Sequence, residues 1–567
     1  MYAPPATNGP SRPTDWNAIN WRQAQRQVRN LRQRIFRASQ AGDWKTVRSL
    51  QKLMLRSRAN TLVSVRRVTQ VNQGKYTAGV DKLVVKTPAA RGQLVDQLLA
   101  SQPWRAKPAR RVYIPKASGK LRPLGIPTVV DRCQQARVKN ALEPEWEARF
   151  EATSYGFRPG RSCQDAIAKI YLLACPHRRK KWVVDADIQG AFDNISHNHL
   201  LEAIGLCPGR ALIKQWLKAG YMEDGVFHET TAGTPQGSVI SPLLANIALH
   251  GLEAALGVKH NSKGEITGPR AVVRYADDLV AFCESREDAE AAQADLTRWL
   301  QERGLILSAE KTRIVHLSEG FDFLGFNIRQ YKAPQTSRTG YKLLIKPSKR
   351  SVQRIRQRLR EEWQQLRGHN VRAAVKRLNP IIRGWANYFR SAVASETFNR
   401  LDRWMNYKER RYVKRRHPAK PWEWRKRHYW GKLNPEYADQ WVFGDTKMGY
   451  YLLKFSWFKI ERHVLVRGTA SPDDPTLQEY WAQRAAARTK YLPRRQQELA
   501  RQQDYACPLC GESLFNEEER QVHHIEPKHK GGQDDATNHK LVHLYCHQQI
   551  HSGRITPMDK AGQLLLL

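Results

Sequence analysis

Hydrophobic positions along the chain follow two kinds of pattern, and the change from one to the other marks its organisation. Trp21, Ala24, Val28, Leu31 and Ile35 recur at alternating steps of three and four, which predicts a helix with one apolar stripe on a surface otherwise crowded with Arg and Gln. The stripe faces core, and the rest faces solvent or phosphate. From about residue 105 to 345 strands and helices mix, punctuated by Gly and Pro, and this stretch is the most enzyme-like. Within it, "VVDADIQGAFDNI" at 183–195 opens with a short strand that ends near Asp187. In "RYADDLVAF" at 274–282 the residues on both sides favour extended backbone and Ala-Asp-Asp suits a tight connection, so it reads as a hairpin with Asp277 and Asp278 at its tip. "IPKASGKLRPLGIP" reads as a second hairpin turning at Ser118-Gly119, with Lys116 and Arg122 on opposite strands. Ser241-Pro242 starts a helix whose core stripe is Leu244, Ile247 or Ala248, and Leu252. Residues 350–400 return to helical spacing, "GTASPDDP" at 468–475 reads as a linker, and the first twelve residues, rich in Pro, Ser and Gly, are expected to be disordered.

Length and charge change this picture. At 567 residues the chain exceeds one hydrophobic core, and three or four domains are expected. Lys and Arg total 95 against 53 Asp and Glu, a net charge of +42, so the expected partner is a polyanion. No run of about twenty apolar residues and no amino-terminal signal pattern is present, which predicts a soluble, intracellular, nucleic-acid-binding protein with no membrane contact. Between 405 and 430, ten Lys or Arg stand against two Glu, interleaved with Tyr and Trp. Aromatics among cations can stack on bases or ribose while the charges hold phosphates. Five of the eight cysteines are scattered singly, as expected of reduced thiols, and only Cys507, Cys510 and Cys546 look organised.

The paired carboxylates then acquire a context. A polymerase needs two divalent ions roughly 4 Å apart, held by carboxylate oxygens, and one Asp cannot hold both. A strand ending at Asp187 beside the 272–282 hairpin would bring Asp187 and Asp277 together, with Asp278 as a less direct contributor. "RRVYIPKASGKLRPLGIP" (110–127), "DIQGAFDNI", "GTPQGSVISPLLANI" (233–247), "YADD", "LSAEKTRIVH" (307–316) and "FDFLGF" (321–326) occur in an order that resembles reverse transcriptases of group II introns. The resemblance extends from "VNQGKYTAGVDKL" at 71–83 to "LNPIIRGWANYFR" at 378–390, similar to the maturase or thumb region. It implies that Asp187, Asp277 and Asp278 are catalytic and that Asp187 and Asp277 hold two Mg²⁺ ions. It also implies that Lys116 and Arg122 bind the incoming triphosphate, that Pro235, Gln236 and Gly237 floor the nucleotide and template site, and that Lys311 lies near the leaving pyrophosphate. Phe192 resembles the aromatic that closes the sugar pocket, where a bulky ring would clash with a ribose 2′-hydroxyl and favour deoxynucleotides.

At the carboxy terminus, "CPLC" at 507–510 and "HLYC" at 543–546 have zinc-knuckle spacing, and Cys507, Cys510, His543 and Cys546 form a candidate structural Zn²⁺ site. "HHIEP" at 523–527, Asn538 and "CHQQIH" at 546–551 together resemble a His-Asn-His (HNH) endonuclease of ββα-metal fold. That resemblance makes His524 the general base, places His523, His547 and His551 around one divalent ion, and has Asn538 brace the loop. Where many relatives have Cys, position 543 is His.

The expected fold is multidomain α+β. A right-hand polymerase of fingers and palm (96–345) follows an amino-terminal extension (1–95), and a helical thumb or maturase region (346–430), a basic DNA-binding region with linker (431–503) and a ββα-metal HNH module (504–567) come after it. The expected function is that of a group II intron-encoded RNA-directed DNA polymerase and maturase. It would act with its intron RNA, target DNA and deoxynucleoside triphosphates in the bacterial cytosol or nucleoid, cutting the second DNA strand to prime synthesis. The rival readings are a non-enzymatic splicing cofactor, which intact Asp187, Asp277 and Asp278 argue against, and a defence-associated or retron-type reverse transcriptase. The appended HNH module and the 378–390 block disfavour the second rival.

Overall fold

The computed structural model describes residues 13–100, 104–115, 119, 121–261, 264–334, 339–516 and 518–553; Lys116 and the amino-terminal twelve residues lie outside it. A four-stranded antiparallel sheet forms the palm, in the order Ala271–Tyr275, Asp278–Cys283, Trp182–Asp187, Arg313–His316. Its strands are apolar at consecutive positions because both faces are covered. Val184, Ala186, Val272, Leu279 and Ala281 point into a core built with the helices Val129–Arg149, Ser241–Ala248 and Arg286–Gln301. Their neighbours Val183, Val273, Val280 and Phe282 point into the opposite core, as the two-residue period of a strand requires. Each buried Val, Leu or Phe among them contributes about 1.5–3 kcal/mol, which fixes the register against a one-residue slip.

The second palm core is shared with the thumb. Phe321, Phe326 and Ile345 of a three-stranded sheet and Ile355, Leu378 and Phe398 of the following helices belong to it. The fingers hairpin pairs Ala109–Pro115 with Leu121–Ile126, and Ala109–Pro115 also runs parallel to Tyr221–Glu223. At the amino end, Trp21–Gln40 buries Trp21, Ala24, Val28 and Ile35, four members of the expected stripe. Asn20 caps this helix by accepting from the Gln23 amide, an interaction of about 1 kcal/mol. The fold is therefore the expected mixture of a palm-centred polymerase body, helical regions and a small terminal ββα unit, and no helix among the described residues is long and apolar enough to cross a membrane.

Three local expectations change. Residues 468–475 are not a free linker: Ser471 and Asp473 are buried, Asp473 pairs with Arg32 at 2.7 Å, and the Trp481 indole donates to the Ser471 carbonyl. The helix begun at Ser241 stops at Ala248, because Gly251 takes φ +93° and a separate turn carries Leu252. In the 405–430 run, Tyr429 and Trp430 are buried and Tyr412, Trp422 and Trp424 pack against the same core. Tyr407 is the large aromatic of that run left exposed, so cations rather than rings make its outer face.

Candidate active sites

The antiparallel register of the two central palm strands sets Asp187 opposite Asp278. Tyr275 pairs with Asp278, so the hairpin turn consists of Ala276 and Asp277 alone, with Ala276 at φ +58°. A non-glycine residue in that region is strained, and the surroundings show what maintains it. Arg274, buried beneath the turn, donates to the Ala276 carbonyl and to Asn246 Oδ1, while Asn246 Nδ2 donates to the Gly156 carbonyl. Gly156 has no side chain because a Cβ there would lie 2.3 Å from the Ala276 nitrogen. Arg274 and Asn246 were not singled out in the sequence, although a guanidinium inside an apolar strand was a visible signal.

Three carboxylates thus face one place. Asp278 is pushed up to about 7, first by the dense protein around it and then by the charges of Asp277, Asp187 and Asp185, with Lys311 opposing. Its side chain is nevertheless open to solvent, so a cation can reach it. Asp277 is also raised, by burial and by Asp187, against the fields of Arg122 and Lys311. Lys311 Nζ lies 2.7 Å from Asp187 Oδ2. Asp277 and Asp278, held back from ionising by burial and like charge, stand with Asp187 across the strand pair and offer oxygen donors of the kind a hard divalent cation takes, less tightly gathered than the Cys and His groups of the terminal module.

The loop at 233–237 is stitched to the segment that carries Phe192. The Thr234 amide donates to the Phe192 carbonyl and the Gly233 amide to that of Ile195, and a Cβ at Gly233 would strike the Asp193 carbonyl at 2.5 Å. On its other side the Gly125 amide donates to the Gln236 carbonyl at 2.7 Å, and Gly237 takes φ +113°. Fingers and palm therefore meet across this loop, around a cavity of about 420 Å³ lined by Arg111, Tyr113, Gly125, Phe192 and Pro235. Phe192 is half-buried, its ring edge-on to Phe157 at 6.1 Å. Arg122 stands exposed on the fingers hairpin opposite Ile114.

In the terminal module, Arg520–His524 and His539–His543 pair antiparallel, and Leu544–Ile550 follows as the helix. Cys507, Cys510, His543 and Cys546 are all buried, with one donor atom of each within 4.8 Å of the others. The three thiols form no disulfide, and Cys510 Sγ lies 3.3 Å from His543 Nδ1, whose other ring nitrogen faces the Ser513 carbonyl. Burial opposes ionisation of Cys507, yet its contacts with Cys510, Cys546 and His543 bring that thiol well below its ordinary range. The donor set and its closure fit a tetrahedral metal ion. His523, His547 and His551 form a second cluster: His547 and His551 approach to 3.2 Å, and His523 Nδ1 is buried without a protein partner. Three imidazoles brought together, one of them with an orphaned ring nitrogen, also fit a metal ion.

His524 lies on the other side of the strand from His523, with Nε2 3.5 Å from Asp534 Oδ1. Asp534 and His539 are engaged in turn by Arg495, at 2.6 Å to each. His524, Asp534 and His539 could by position hold a metal, but the Arg495 guanidinium already supplies the cation there. Asn538 accepts from the Glu526 amide and donates to the Glu526 and Gln533 carbonyls, closing the loop between the strands. Asp534, His539 and Arg495 were not singled out in the sequence, since their relevance depends on a contact with the preceding helix.

Comparison with known proteins agrees with this layout. Residues 16–98 match the N-terminal domain of reverse transcriptase, 114–328 reverse transcriptase (RNA-dependent DNA polymerase), 352–430 the group II intron maturase-specific domain and 507–553 HNH endonuclease. Protein YkfC of Escherichia coli is 35% identical over 312 residues, 49% of this chain and 82% of its own. The group II intron-encoded protein LtrA of Lactococcus lactis is 33% identical over 335 residues, 47% of this chain and 55% of its own. A 91 kDa protein in the cob intron of Schizosaccharomyces pombe is 30% identical over 424 residues, 60% of this chain. The chain thus spans about half the length of these last two relatives, 55% and 51%. With the reverse transcriptase, maturase and HNH domains in this order around the geometry described, the chain belongs to the family of group II intron-encoded reverse transcriptase–maturases that carry an HNH endonuclease domain.

Proposed function

We propose that this protein copies RNA into DNA at the Asp187, Asp277 and Asp278 site, assists the splicing of its own intron RNA, and cuts the second strand of a DNA target with its HNH domain so that the cut end primes synthesis. The observation that carries the reading is the strand register that sets Asp187 against Asp278 with Asp277 in the intervening turn. Asp187 and Asp277 hold two Mg²⁺ ions, and Asp278 adds charge beside them. Magnesium, when bound, activates the primer hydroxyl and neutralises the triphosphate and leaving oxygen. Arg122, with Lys116, binds the triphosphate; Lys311, whose ammonium pairs with Asp187, lies near the departing pyrophosphate; Gln236 and Gly237 floor the pocket. Phe192 excludes a 2′-hydroxyl and so selects deoxynucleoside triphosphates.

In the HNH domain, His524 takes the proton of the attacking water while His523, His547 and His551 bind one divalent ion and Asn538 fixes the loop between them. Zn²⁺ at Cys507, Cys510, His543 and Cys546 is structural. The cationic outer face of Ser395–Arg416 lies along intron RNA, and the work takes place in the bacterial cytosol or nucleoid. The test is primer extension on an RNA template by Asp277→Asn, which keeps size and removes charge. Extension is expected to be lost while intron RNA still binds, and near-normal extension by the folded variant would refute the assignment.

A further inference from the structure

The terminal module does not hang from the chain. Its core is continuous with that of the amino-terminal extension, with Trp16, Trp21, Leu62 and Val65 packing in the same cluster as Leu541 and Cys546. Polar contacts cross the same boundary. Gln549 Nε2 donates to the Asn17 and Ile19 carbonyls at 2.9 Å each, Arg29 pairs with Glu512, and Lys75 donates to the Tyr545 hydroxyl.

At the centre of this boundary is Arg66, the last residue of the helix Arg58–Arg66 and 2% exposed. Its Nη2 lies 3.2 Å from Cys546 Sγ and 2.9 Å from Glu518 Oε2, and its guanidinium lies over the Trp21 ring at 4.7 Å. Its Nε and Nη1 are buried with no partner. A buried guanidinium with two unpaired donors is costly unless its anionic surroundings exceed one carboxylate. Here they do: a divalent ion with three thiolates and a neutral imidazole has a net charge of −1, and Glu518 adds another. Arg66 is the cation placed against both.

We infer that the Cys507, Cys510, His543 and Cys546 centre is the joint that fixes the endonuclease domain to the amino-terminal extension of the polymerase, with Arg66, a residue from outside the module, as its neutralising partner. This rests on the proposed metal at that centre. Loss of the metal therefore releases the module from the polymerase, and loss of Arg66 weakens hold of the metal, two faces of one coupling. The consequence is positional, because a DNA end cut by the module reaches a polymerase held at a set distance only while the joint is loaded.

The test uses the full chain. Zinc content is measured first, then zinc release to a colorimetric chelator from wild type, Arg66→Met and Glu518→Gln, with hydrogen exchange of wild type before and after metal removal. Wild type is expected to hold zinc at this centre, and Arg66→Met to release it about tenfold faster or more, the scale of lost outer partners of metal ligands. Glu518→Gln, which leaves Arg66 to the thiolates alone, is expected to hold zinc at least as firmly as wild type. Metal removal is expected to raise exchange in 13–21 and 58–66 but not in the palm strand 182–187. Zinc-free wild type would refute the metal reading itself. Zinc bound but released equally by Arg66→Met, equal loosening by Glu518→Gln, or unchanged amino-terminal exchange in the metal-free protein would each overturn the joint alone.

Discussion

Replacing Asp278 by Asn is expected to stabilise the metal-free palm and to impair the polymerase. In the folded protein the carboxyl is pushed up to about 7, by its dense surroundings first and then by Asp277, Asp187 and Asp185. In the unfolded chain it ionises near 3.8. Between those values the native state holds a proton that the unfolded state has released, so stability falls as pH rises from about 4 to about 7 and the loss is complete above that. For a fully enclosed carboxyl this gap would cost about 4 kcal/mol, but the side chain is open to solvent and screening reduces the cost to about 1–2 kcal/mol. Asn avoids the penalty at alkaline pH, and the two proteins should match only below about pH 4, where the wild-type carboxyl is neutral in the folded and the unfolded state alike.

Several domains make a single melting temperature ill-defined, so the measurement is hydrogen exchange of amides in 182–187 and 278–283. It is made at about pH 5 and about pH 8, with a chelator or with magnesium. In chelator the variant should be better protected than wild type at both pH values but by roughly a third as much at about pH 5 as at about pH 8, and magnesium should close the gap by protecting wild type more. A variant no better protected in chelator, or one with the same advantage at both pH values, would refute the electrostatic account of the three carboxylates.

Other expectations test single side chains. Phe192→Val enlarges the sugar pocket and should raise ribonucleotide relative to deoxynucleotide incorporation in direct competition; unchanged selectivity would return the ring to plain packing. Glu409 is buried and pushed up to about 7, chiefly by that burial, with Trp430 and Lys454 pulling it down. Glu409→Gln should remove a loss of thumb stability that grows as pH rises from about 4.5 to about 7, worth about 2–3 kcal/mol above it, read as protection of the amides in 395–416. An equal effect at acid pH would contradict that assignment. His524→Ala should abolish second-strand nicking of a labelled target by the reconstituted ribonucleoprotein while primer extension survives, and wild-type nicking would remove His524 from the chemistry.

Features that depend on near neighbours in the chain were legible before the structure. The Asp277 hairpin follows from β-prone residues on either side of a two-residue turn, and the helix at Trp21 from one apolar stripe behind an Asn cap. Features whose partners are remote were not. Ser471 and Asp473 look like linker residues because Pro, Asp and Gly surround them, yet Asp473 is held by Arg32 across 441 positions of sequence. Interleaved rings and cations at 405–430 suggest base stacking, but a neighbouring core draws rings inward, and here the core around Phe443 and Phe455 buries Tyr429 and Trp430 and half-covers Tyr412, Trp422 and Trp424.

The same distinction bears on the net charge. An excess of 42 cations marks a polyanion-binding protein, but it does not say which arginines meet phosphate. Arg32, Arg66, Arg158 and Arg274 are largely or wholly buried, pairing with Asp473 and Glu143, with Glu518 and Cys546, with Glu147, and with Asn246 and the Ala276 carbonyl. None of the four is available to a nucleic acid. Their sites share a physical logic, since each ties together segments whose own patterning would leave them apart: the 471–474 turn to the first helix, the terminal module to the amino-terminal extension, the 151–158 loop to a palm helix, and the catalytic turn to the helix Ser241–Ala248. Arginine suits this work because its fork can serve two acceptors at once without losing its charge. In a chain this basic, the cations that build the sites are those that burial removes from the surface, and substituting them should change geometry and stability without altering the salt dependence of RNA binding.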